Sequence, residues 1–403
     1  MTNRNVLISG ASIAGPALAY WLYQRGFAPT VVERAPAPRP GGQTVDLRGA
    51  GRTVVDRMGL MSRVREVSVE QRGFAIVDAN GRIKAEVPED AFGGEGIISE
   101  IEILRGDLGQ IFYEASLPTT EYLFDDTITG IQQADDGVLV TFEKAAPRKF
   151  AFVFGADGLH SAVRRLAFGP ESDYVHPLNC YTAWFTSKAD VDLGGWYLMY
   201  NAPGGLVVSE RPGRLPGEHK AGLSFRSQPI EYDRRDVAAQ KRMLAERFAG
   251  VGWRAPRLLA AMYEASDFGF DSMGQVKMDS WSRGRVALLG DAACCPSPLT
   301  GLGTSLALVG AYVLAGELAA ARGDCRHAFA RYEEIMRPYV TTGQQLPPGG
   351  IGGYAPDSAF AIRSRTLSMR MMTRWPMRAL IAKQFTRAES IDLPDYDSVS
   401  AMR

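Results

Sequence analysis

Glycine-containing turns follow apolar runs at several points in this chain, and each could bind part of a dinucleotide. The first, GASIAG, spans residues 10–15 and follows the apolar run at residues 6–8. Gly10 permits a tight turn, and Gly15 allows the next helix to pack closely on the strand. The N-terminus of that helix offers unpaired N–H groups and a partial positive charge. The turn is therefore suited to a pyrophosphate.

The residues around this turn indicate which dinucleotide it could bind. Glu33 ends the next apolar run, where a carboxylate can accept hydrogen bonds from a ribose diol, so FAD or NAD is favoured over NADP. Ser12 stands at the middle position of the G-x-G-x-x-G pattern, which is usually glycine. Its Cβ narrows the approach to the phosphate, whereas its hydroxyl can donate a hydrogen bond. The alternative interpretation is a strand–helix turn that binds no ligand.

A second candidate region lies much further along, in residues 284–319. An apolar strand leads to Gly290 and Asp291, and the carboxylate of Asp291 can accept hydrogen bonds from a polyol such as ribitol. Gly301 and Gly303 follow in a loop whose backbone can lie against a flat ring. A long helix starts near Gly303, and its N-terminal dipole suits a ring that gains negative charge on reduction.

Between these two regions, residues 152–165 (FVFGADGLHSAVRR) combine a strand and a short turn. In this order, the GASIAG, A-D-G-x-H-S-x-x-R and G-D-A-A-x4-P-x-x-G-x-G stretches resemble the class A flavoprotein monooxygenases of the para-hydroxybenzoate hydroxylase fold. GGQTVDLRGAG at 41–51 and ILRGDL at 103–108 are particularly similar to tetracycline-inactivating monooxygenases and related polyketide hydroxylases. The resemblance covers nearly the whole chain.

The resemblance implies a bound FAD and gives several residues a place around it. Glu33 and Arg34 would lie at the adenosine end, and Arg105 would lie close to the cofactor. Asp157 would lie near the pyrophosphate and Asp291 on the ribitol. The opening turn is then expected to bind the pyrophosphate of FAD.

The sequence departs from the family pattern at two positions. Ser12 replaces the second glycine, and Cys294 stands where many relatives have His. The adjacent Cys294 and Cys295 could form a redox disulfide, but that bond would close a strained ring, so two buried small residues are the favoured interpretation. Four cysteines without the spacing of a disulfide framework predict a reducing, cytoplasmic location.

The composition limits the partners that this chain could have. Lys+Arg and Asp+Glu both total 45, so no overall field favours nucleic acid or an anionic membrane. The four histidines lie far apart, and no metal site is expected. Residues 4–22 could pass for a signal peptide, but glycine and proline divide them into strand, turn and helix. We expect no membrane span, and a monomer or weak homodimer.

The predicted fold is α/β, with a discontinuous Rossmann-like FAD-binding domain, a mostly antiparallel β-sheet substrate domain and a C-terminal helix. The expected segments are FAD-binding parts at 1–72, 98–173 and 276–345, a substrate-domain hairpin at 73–97, the main substrate domain at 174–275, and a C-terminal loop and bridging helix at 346–403. Asn80-Gly81 predicts the turn of the hairpin. A further helix is predicted at about 324–337.

The basic, Met-rich C-terminal tail allows two interpretations. An amphipathic helix of this kind could lie on a membrane surface. A helix packed across both domains is favoured, because the net charge of the chain is zero and the family ends in such a helix.

Candidate substrate contacts lie on both sides of the expected flavin ring. Trp184, Phe185 and Met199 fall in strand-like runs and could form an aromatic and apolar wall, although each could equally be a core residue. Pro298 and Leu299 would form the floor beside the ring.

A small carboxylate substrate would need a dedicated buried cation. Arg48 could face the active site as that cation, although in the family this region also lies against the flavin, and Arg226 is the alternative. Because the strand-like runs at 174–275 have few cations, we expect a small-molecule substrate with several rings, polyketide-like or antibiotic-like.

The leading functional hypothesis is an FAD monooxygenase. NAD(P)H binds transiently and reduces the flavin, O₂ adds to give a flavin hydroperoxide, and one oxygen passes to an electron-rich phenol or enol. A flavin-dependent oxidase or double-bond reductase would share every FAD contact and is the main alternative. A non-catalytic protein that sequesters a ligand is a third, but the intact GDAA and ADG stretches argue against it.

Overall fold

The computed structural model describes residues 4–93, 96–188, 191–374 and 390–396. In chain order, the strands are β1 (Asn5–Ser9), β2 (Ala28–Glu33), β3 (Thr44–Asp46), β4 (Gly73–Val77), β5 (Ile83–Pro88), β6 (Glu102–Leu104), β7 (Glu121–Phe124), β8 (Ile128–Ala134), β9 (Gly137–Phe142), β10 (Arg148–Phe150), β11 (Phe152–Gly155), β12 (Val175–Lys188), β13 (Trp196–Ala202), β14 (Leu206–Pro212), β15 (Glu218–Arg226), β16 (Gly269–Val276), β17 (Ser282–Arg283) and β18 (Val286–Leu288). The helices are α1 (Ala14–Gln24), α2 (Gly49–Arg57), α3 (Met61–Glu66), α4 (Arg105–Ser116), α5 (Ala162–Ala167), α6 (Val237–Arg247), α7 (Ala255–Glu264), α8 (Asp291–Cys294), α9 (Gly303–Ala320), α10 (Cys325–Gly343), α11 (Gly350–Tyr354) and α12 (Ala359–Met372).

A mostly parallel sheet forms the centre of the FAD-binding half, with the order β17-β18-β11-β1-β2-β7. Its strands β1, β2, β11 and β18 are apolar and buried, as expected for strands covered on both faces. The three predicted dinucleotide stretches therefore end at neighbouring strands of one sheet, because β1 pairs in parallel with β2 and β11, and β11 with β18. This confirms the predicted Rossmann-like arrangement.

Helix α9 packs against α1, α2 and α10 at the centre of this half. By length and composition α9 could cross a membrane, but 83% of it is buried inside the protein. It is therefore the core helix of the FAD-binding half. A Cβ on Gly51 of α2 would come within 2.7 Å of the hydroxyl oxygen of Ser305 in α9. Helix α2 therefore approaches α9 closely only because residue 51 is glycine.

A second sheet has the order β16-β12-β15-β14-β13-β4-β5 and is antiparallel except where β13 meets β4. The hairpin β4–β5 turns at residues 78–82, as Asn80-Gly81 predicts, and joins the sheet at the β13 edge. The predicted segments 73–97 and 174–275 thus contribute to the same sheet. The predicted fold class is confirmed.

The two faces of this sheet are covered by different elements. We call the face covered by α6 and α7 the outer face, and the face towards β3, β6, α11 and α12 the inner face. Along β12 the buried residues alternate with half-buried ones, because successive side chains of a strand point to opposite faces.

The C-terminal elements connect the two halves. Helix α10 is longer than predicted and continues through Pro338. Helix α12 packs on β5 and β13, whereas Tyr396 packs against α9, and its hydroxyl donates to Glu317 over 2.6 Å. The predicted bridging helix also includes residues 375–389, which lie outside the described residues.

Candidate flavin and substrate sites

The first glycine turn adopts the conformation that the sequence predicts. Gly10 has a φ of +105°, and a Cβ there would come within 2.5 Å of the carbonyl oxygen of Ala156. A Cβ at Gly15 would lie 1.9 Å from the carbonyl oxygen of Gly10, so α1 can start against β1 only with glycine at both positions. The N-terminus of α1 is thereby brought to the end of β1.

Glu33 is fixed beside this turn by backbone donors. The N–H groups of Ala11 and Ala35 each donate to one oxygen of the Glu33 carboxylate over 2.9 Å. Arg39 also contacts this carboxylate at 3.4 Å, whereas Arg34 is exposed next to it. The carboxylate is therefore held at the turn, and its place at the adenosine ribose stays a prediction.

Ser12 and Arg105 form a direct contact across the turn. The Arg105 Nη2 and Nε atoms donate to Ser12 Oγ over 2.9 and 3.2 Å. Serine in place of the usual middle glycine therefore positions a cation at the pyrophosphate turn. This contact was not foreseen, although both residues were candidates, because they lie far apart in the sequence.

Arg105 and Asp291 face each other across a cleft. Both side chains are exposed, yet the protein surrounds them closely enough that burial lowers the pKa of Arg105 and raises that of Asp291. Each charge opposes the shift of the other by mutual attraction. Side chains that are accessible yet lose hydration are typical of a recess in the surface, which is where a dinucleotide would bind.

Unsatisfied polar atoms support the same location for the cofactor. Gln43 Nε2 and Thr44 Oγ1 are buried without a hydrogen-bond partner in the described part of the chain. They lie next to the cleft, because the backbone N–H of Arg105 donates to the carbonyl oxygen of Gln43 over 2.8 Å. Buried polar groups normally have partners, so these atoms fit a bound polar group such as FAD.

Asp157 lies against the first turn, as expected, but its carboxylate already accepts hydrogen bonds from the protein. Ser9 Oγ and the backbone N–H groups of Ala162 and Val163 donate to it over 3.2, 2.8 and 3.1 Å. A Cβ on Gly10 would approach the Cα of Asp157 to 3.0 Å. Asp157 therefore supports the turn, and direct contact with the pyrophosphate stays a prediction.

A buried arginine joins the second and third stretches. Arg164 is fully buried, and its Nη1 donates to the carbonyl oxygen of Ala292 over 2.9 Å. Its Nη2 donates to the carbonyl oxygen of Leu159. Arg164 thus connects the turn after β11 to the GDAA segment, which explains why an arginine occurs in the S-x-x-R pattern.

The third stretch brings Asp291 to the start of α9. A Cβ on Gly303, the first residue of α9, would lie 3.7 Å from Asp291 Oδ1. Gly290 has a φ of +58° and lies between Ala14 of α1 and Ala307 of α9. The carboxylate and the positive end of the α9 dipole therefore lie side by side.

Cys294 and Cys295 follow directly and are both free and buried. Burial raises the pKa of each thiol above its usual value. Cys294 Sγ lies 3.4 Å from the carbonyl oxygen of Gly290. These thiols are protonated and pack in the core, where a thiol is a poor nucleophile.

The loop after the cysteines adjoins the inner face of the antiparallel sheet. A Cβ on Gly301 would lie 2.5 Å from Asp46 Oδ2 and 3.6 Å from Arg48 Nε. Pro298 is exposed and Leu299 half-buried next to this glycine. Both therefore remain candidates for the floor beside the ring.

Arg48 already has hydrogen-bond partners within the protein, and its role as a substrate anchor stays a prediction. Its Nη2 and Nε donate to Asp46 Oδ2 over 2.9 and 3.1 Å, and its Nη1 donates to the carbonyl oxygen of Gly96 over 2.7 Å. The side chain is buried. Arg48 joins β3 to the Gly96 segment, and Asp46 neutralises its charge.

Phe185 lies in the core, the alternative that the sequence analysis gave for it. It is fully buried on the outer face, in the core cluster that includes Leu244 and Leu258 of α6 and α7. Trp184 points the opposite way and is half-buried, with its indole nitrogen 2.4 Å from where a Cβ on Gly269 would lie. Met199 lies on the inner face but is buried in a small apolar cluster.

The inner face carries polar groups that the sequence analysis missed. We call the space lined by Tyr197, Arg211, Tyr354 and Arg365 the inner pocket. These four side chains keep partial exposure, yet burial raises the pKa of both tyrosines and lowers that of both arginines to about 10. As at Asp291, this combination indicates a cleft within the protein.

Hydrogen bonds connect the inner pocket to the sheet. Ser224 Oγ donates to Thr182 Oγ1 over 2.8 Å and lies 2.9 Å from the Tyr354 hydroxyl. The guanidinium carbon of Arg211 lies 4.6 Å from the centre of the Tyr197 ring. Strand alternation could have placed the sheet residues on one face, but nothing local in the sequence directs α11 and α12 towards them.

Known proteins with similar sequences support the same cofactor. A family profile described as an FAD binding domain matches residues 3–342. The uncharacterized protein Rv1260 of Mycobacterium tuberculosis is 45% identical over 88% of this chain and 95% of its own. A flavin-dependent monooxygenase of Legionella longbeachae is 35% identical over 98% of this chain and 99% of its own.

A solved structure extends the similarity to three dimensions. The crystal structure of tetracycline destructase Tet(51) has a TM-score of 0.82 and 34% sequence identity, and the match covers 98% of this chain and 100% of that one. Because the profile and the full-length relatives agree with the geometry of the cleft, this chain belongs to the FAD-binding family of flavin-dependent monooxygenases and is an FAD enzyme.

Proposed function

We propose that this enzyme uses NAD(P)H and O₂ to hydroxylate an electron-rich phenol or enol of a multi-ring substrate, polyketide-like or antibiotic-like. The observation that carries the proposal is the position of the inner pocket. Asp46 lies beside Gly301, and its charge acts on Tyr197 and Arg211 of the pocket, which supports a single site shared by the start of α9 and the inner face. When bound, FAD supplies the electron transfer and oxygen activation that side chains cannot provide.

The residues of the cleft bind and orient the cofactor. Glu33 presents its carboxylate to a ribose, and Asp291 presents its carboxylate to a polyol chain. Arg105 provides a cation beside the pyrophosphate turn, positioned by Ser12. The N-terminus of α9 favours negative charge on a reduced ring next to it.

The inner pocket positions the substrate and excludes water. The sheet covers it from one side, and α11 and α12 from the other. Since burial raises the pKa of Tyr354, its hydroxyl is neutral and can exchange hydrogen bonds with a phenol or enol. Exclusion of water protects reactive states of the reaction from hydrolysis or other loss.

The size of the substrate is inferred from two sources. Tet(51) is named as a tetracycline destructase, and tetracyclines have several fused rings. Trp184 on the inner face offers a flat apolar surface to such a ring system. The proposal therefore favours fused-ring phenols and enols over a single-ring acid.

The proposal is tested with purified, yellow enzyme and a panel of polycyclic and monocyclic phenols. We expect polycyclic phenols to stimulate the consumption of both NAD(P)H and O₂, and the product to gain one oxygen atom. A product that loses or gains two hydrogens would support the oxidase or reductase alternative. Ligand binding by a protein that never contains flavin would favour sequestration. Stimulation by monocyclic acids alone would overturn the size inference.

Three further expectations are part of this proposal. The division into six segments is supported by the strands that 73–97 and 174–275 contribute to one sheet. A monomer or weak homodimer is expected, which light scattering after gel filtration measures. A cytoplasmic location is expected from the four free cysteines.

A further inference from the structure

Arg365 of α12 points at the inner face of the sheet. Its Nη1 donates to Asn201 Oδ1, and its Nη2 lies 3.4 Å from the Met199 sulfur. Asn201 in turn donates from Nδ2 to the carbonyl oxygen of Tyr354 over 3.1 Å. The guanidinium is therefore held in place by neutral groups at one end of the inner pocket.

The charge of Arg365 has no acidic partner among the residues that the structure describes. Arg211, the other arginine of the pocket, forms an ion pair with Glu102. The electrostatic neighbours of Arg365 are the hydroxyl groups of Tyr354 and Tyr197, and both are neutral because burial raises their pKa. Burial lowers the pKa of Arg365 only to about 10, so it is a cation at neutral pH.

A desolvated cation without a counter-ion is costly in free energy. The position of Arg365 makes sense if a ligand provides the negative charge. The guanidinium offers donors in a plane, and such donors match the oxygens of a carboxylate or of an ionised enol. The Tyr354 hydroxyl, connected to Ser224 and Thr182, supplies neutral hydrogen-bonding capacity nearby.

We infer that Arg365 binds an anionic oxygen of the substrate, so that the substrate is an acidic polycycle bearing a carboxylate or an ionised enol. This inference rests on the proposed function only in taking the inner pocket as the substrate site. It revises the expectation that few cations are available, because α12 adds a cation to those of the sheet strands. An ionised enol would also be the electron-rich group that hydroxylation requires.

The inference is tested by binding to the oxidised holoenzyme, without NAD(P)H, measured by the change in the flavin spectrum. Two matched pairs of probes separate the sources of charge. 3-Hydroxy-2-naphthoate and its methyl ester test a carboxylate, and 2-hydroxy-1,4-naphthoquinone and its methyl ether test an ionised enol. Wild-type enzyme is expected to prefer the anionic member of at least one pair by about tenfold or more.

Variants at position 365 separate charge from packing. Arg365→Met and Arg365→Gln are expected to remove that preference and to leave the neutral probe within about twofold of wild type. Arg365→Lys is expected to retain part of it, since the charge remains without the planar donors. Arg363→Met changes an exposed arginine of the same helix and is the matched control. FAD content and thermal midpoint are measured for each variant.

The inference is overturned if wild type does not prefer an anionic probe, if no probe binds, or if Arg365→Gln weakens both members of a pair equally. Failure of the proposed function is a separate result. If the anionic preference depends on Arg365 but no ligand stimulates NAD(P)H and O₂ consumption, the anion site stands and the hydroxylase proposal fails.

Discussion

The two faces of the antiparallel sheet both contain buried charged groups, but these groups have different kinds of partners. On the outer face Glu210 is fully buried and accepts from His219 Nδ1 over 2.8 Å and from Arg254 over 2.6 Å, and also pairs with Arg257. On the inner face Arg365 has only neutral partners among the described residues. Glu210 and its partners stabilise the fold, whereas the inner face has bonding capacity left for a ligand.

The adjacent residues Glu210 and Arg211 make the difference clear. They are neighbours on β14 and point to opposite faces. Glu210 is paired with Arg254, Arg257 and His219. Arg211 pairs with Glu102 through Nη2, but its Nε is buried without a partner in the described residues. Burial of a charge alone does not indicate a binding site. A binding site is indicated when a buried polar atom lacks a partner in a side chain that is still partly exposed, as in Arg211.

The largest effect is expected when the outer cluster, formed by Glu210, His219, Arg254 and Arg257, loses its carboxylate. Glu210→Gln should lower the free energy of unfolding by about 3 kcal/mol, because two arginines and a histidine lose their buried partner. FAD affinity should not change. Denaturant unfolding measures the free energy of unfolding, and flavin titration measures the FAD affinity. Glu264→Gln on the exposed surface of α7 is the control. A loss of FAD or ligand binding at unchanged stability would contradict the contrast between the faces.

The same cluster should respond to acid. Burial alone would raise the pKa of Glu210, but hydrogen bonds from His219, Arg257 and Arg254 lower it to about 2. Its contribution is therefore complete above the ordinary glutamate pKa, roughly 4.3, and is lost as the pH falls towards 2. The stability difference between wild type and Glu210→Gln should narrow over that window. A constant difference would argue against a depressed pKa.

The next largest effect concerns FAD binding at Asp291. Asp291→Ala should weaken FAD binding by roughly 10–100-fold, because a charged hydrogen-bond acceptor in the cleft is removed. The fold should persist, since the side chain is accessible and not part of the core. Equilibrium dialysis of FAD gives the measurement, and the exposed Asp136→Ala is the control. Full flavin occupancy in Asp291→Ala would show that the third stretch is misassigned.

A smaller effect is expected at Ser12. Ser12→Ala should weaken FAD binding by about 2–10-fold, because Arg105 loses an acceptor at 2.9 Å. Ser12→Gly restores the usual motif and removes the Cβ as well. If the hydroxyl matters, both variants weaken binding. If steric approach dominates, Ser12→Gly binds FAD more tightly than wild type.

The smallest expected effect concerns a half-buried ion cluster at the edge of the sheet. Burial alone would lower the pKa of His160, but hydrogen bonds to Asp271 (2.9 Å) and Glu171 (3.0 Å) raise it. Its stabilisation is complete below the ordinary histidine pKa, roughly 6.5, and disappears as the pH rises through the higher folded value. His160→Gln should therefore cost at most about 1 kcal/mol, and less at alkaline pH. Thermal unfolding across this range, with exposed His176→Gln as control, measures it.

These residues also show how far the sequence predicts the site. Gly10, Glu33, Asp291 and the start of α9 follow from local patterns, because a glycine turn between a strand and a helix determines its own geometry. Ser12 and Arg105 were recognised separately, but their contact depends on the packing of α4 against α1. The cofactor half was predictable for this reason.

The substrate half depends more on tertiary structure. Trp184 and Phe185 are adjacent, and a shift of one residue exchanges the faces to which they point. Both are large and apolar, so the sequence does not say which one is core. Arg365 contacts strands more than a hundred residues away along the chain, and only the tertiary structure brings it to the pocket. The pairing of Arg48 with Asp46, two residues earlier, likewise becomes visible only in the folded structure.

The most direct test of the central claim is the fate of molecular oxygen. Wild-type holoenzyme is incubated with NAD(P)H, an acidic polycyclic phenol that stimulates flavin reduction, and isotopically labelled O₂. We expect a product that contains one labelled oxygen atom, with O₂ and NAD(P)H consumed in equal amounts. A product without label, or one that differs from the substrate only by two hydrogens, would contradict it.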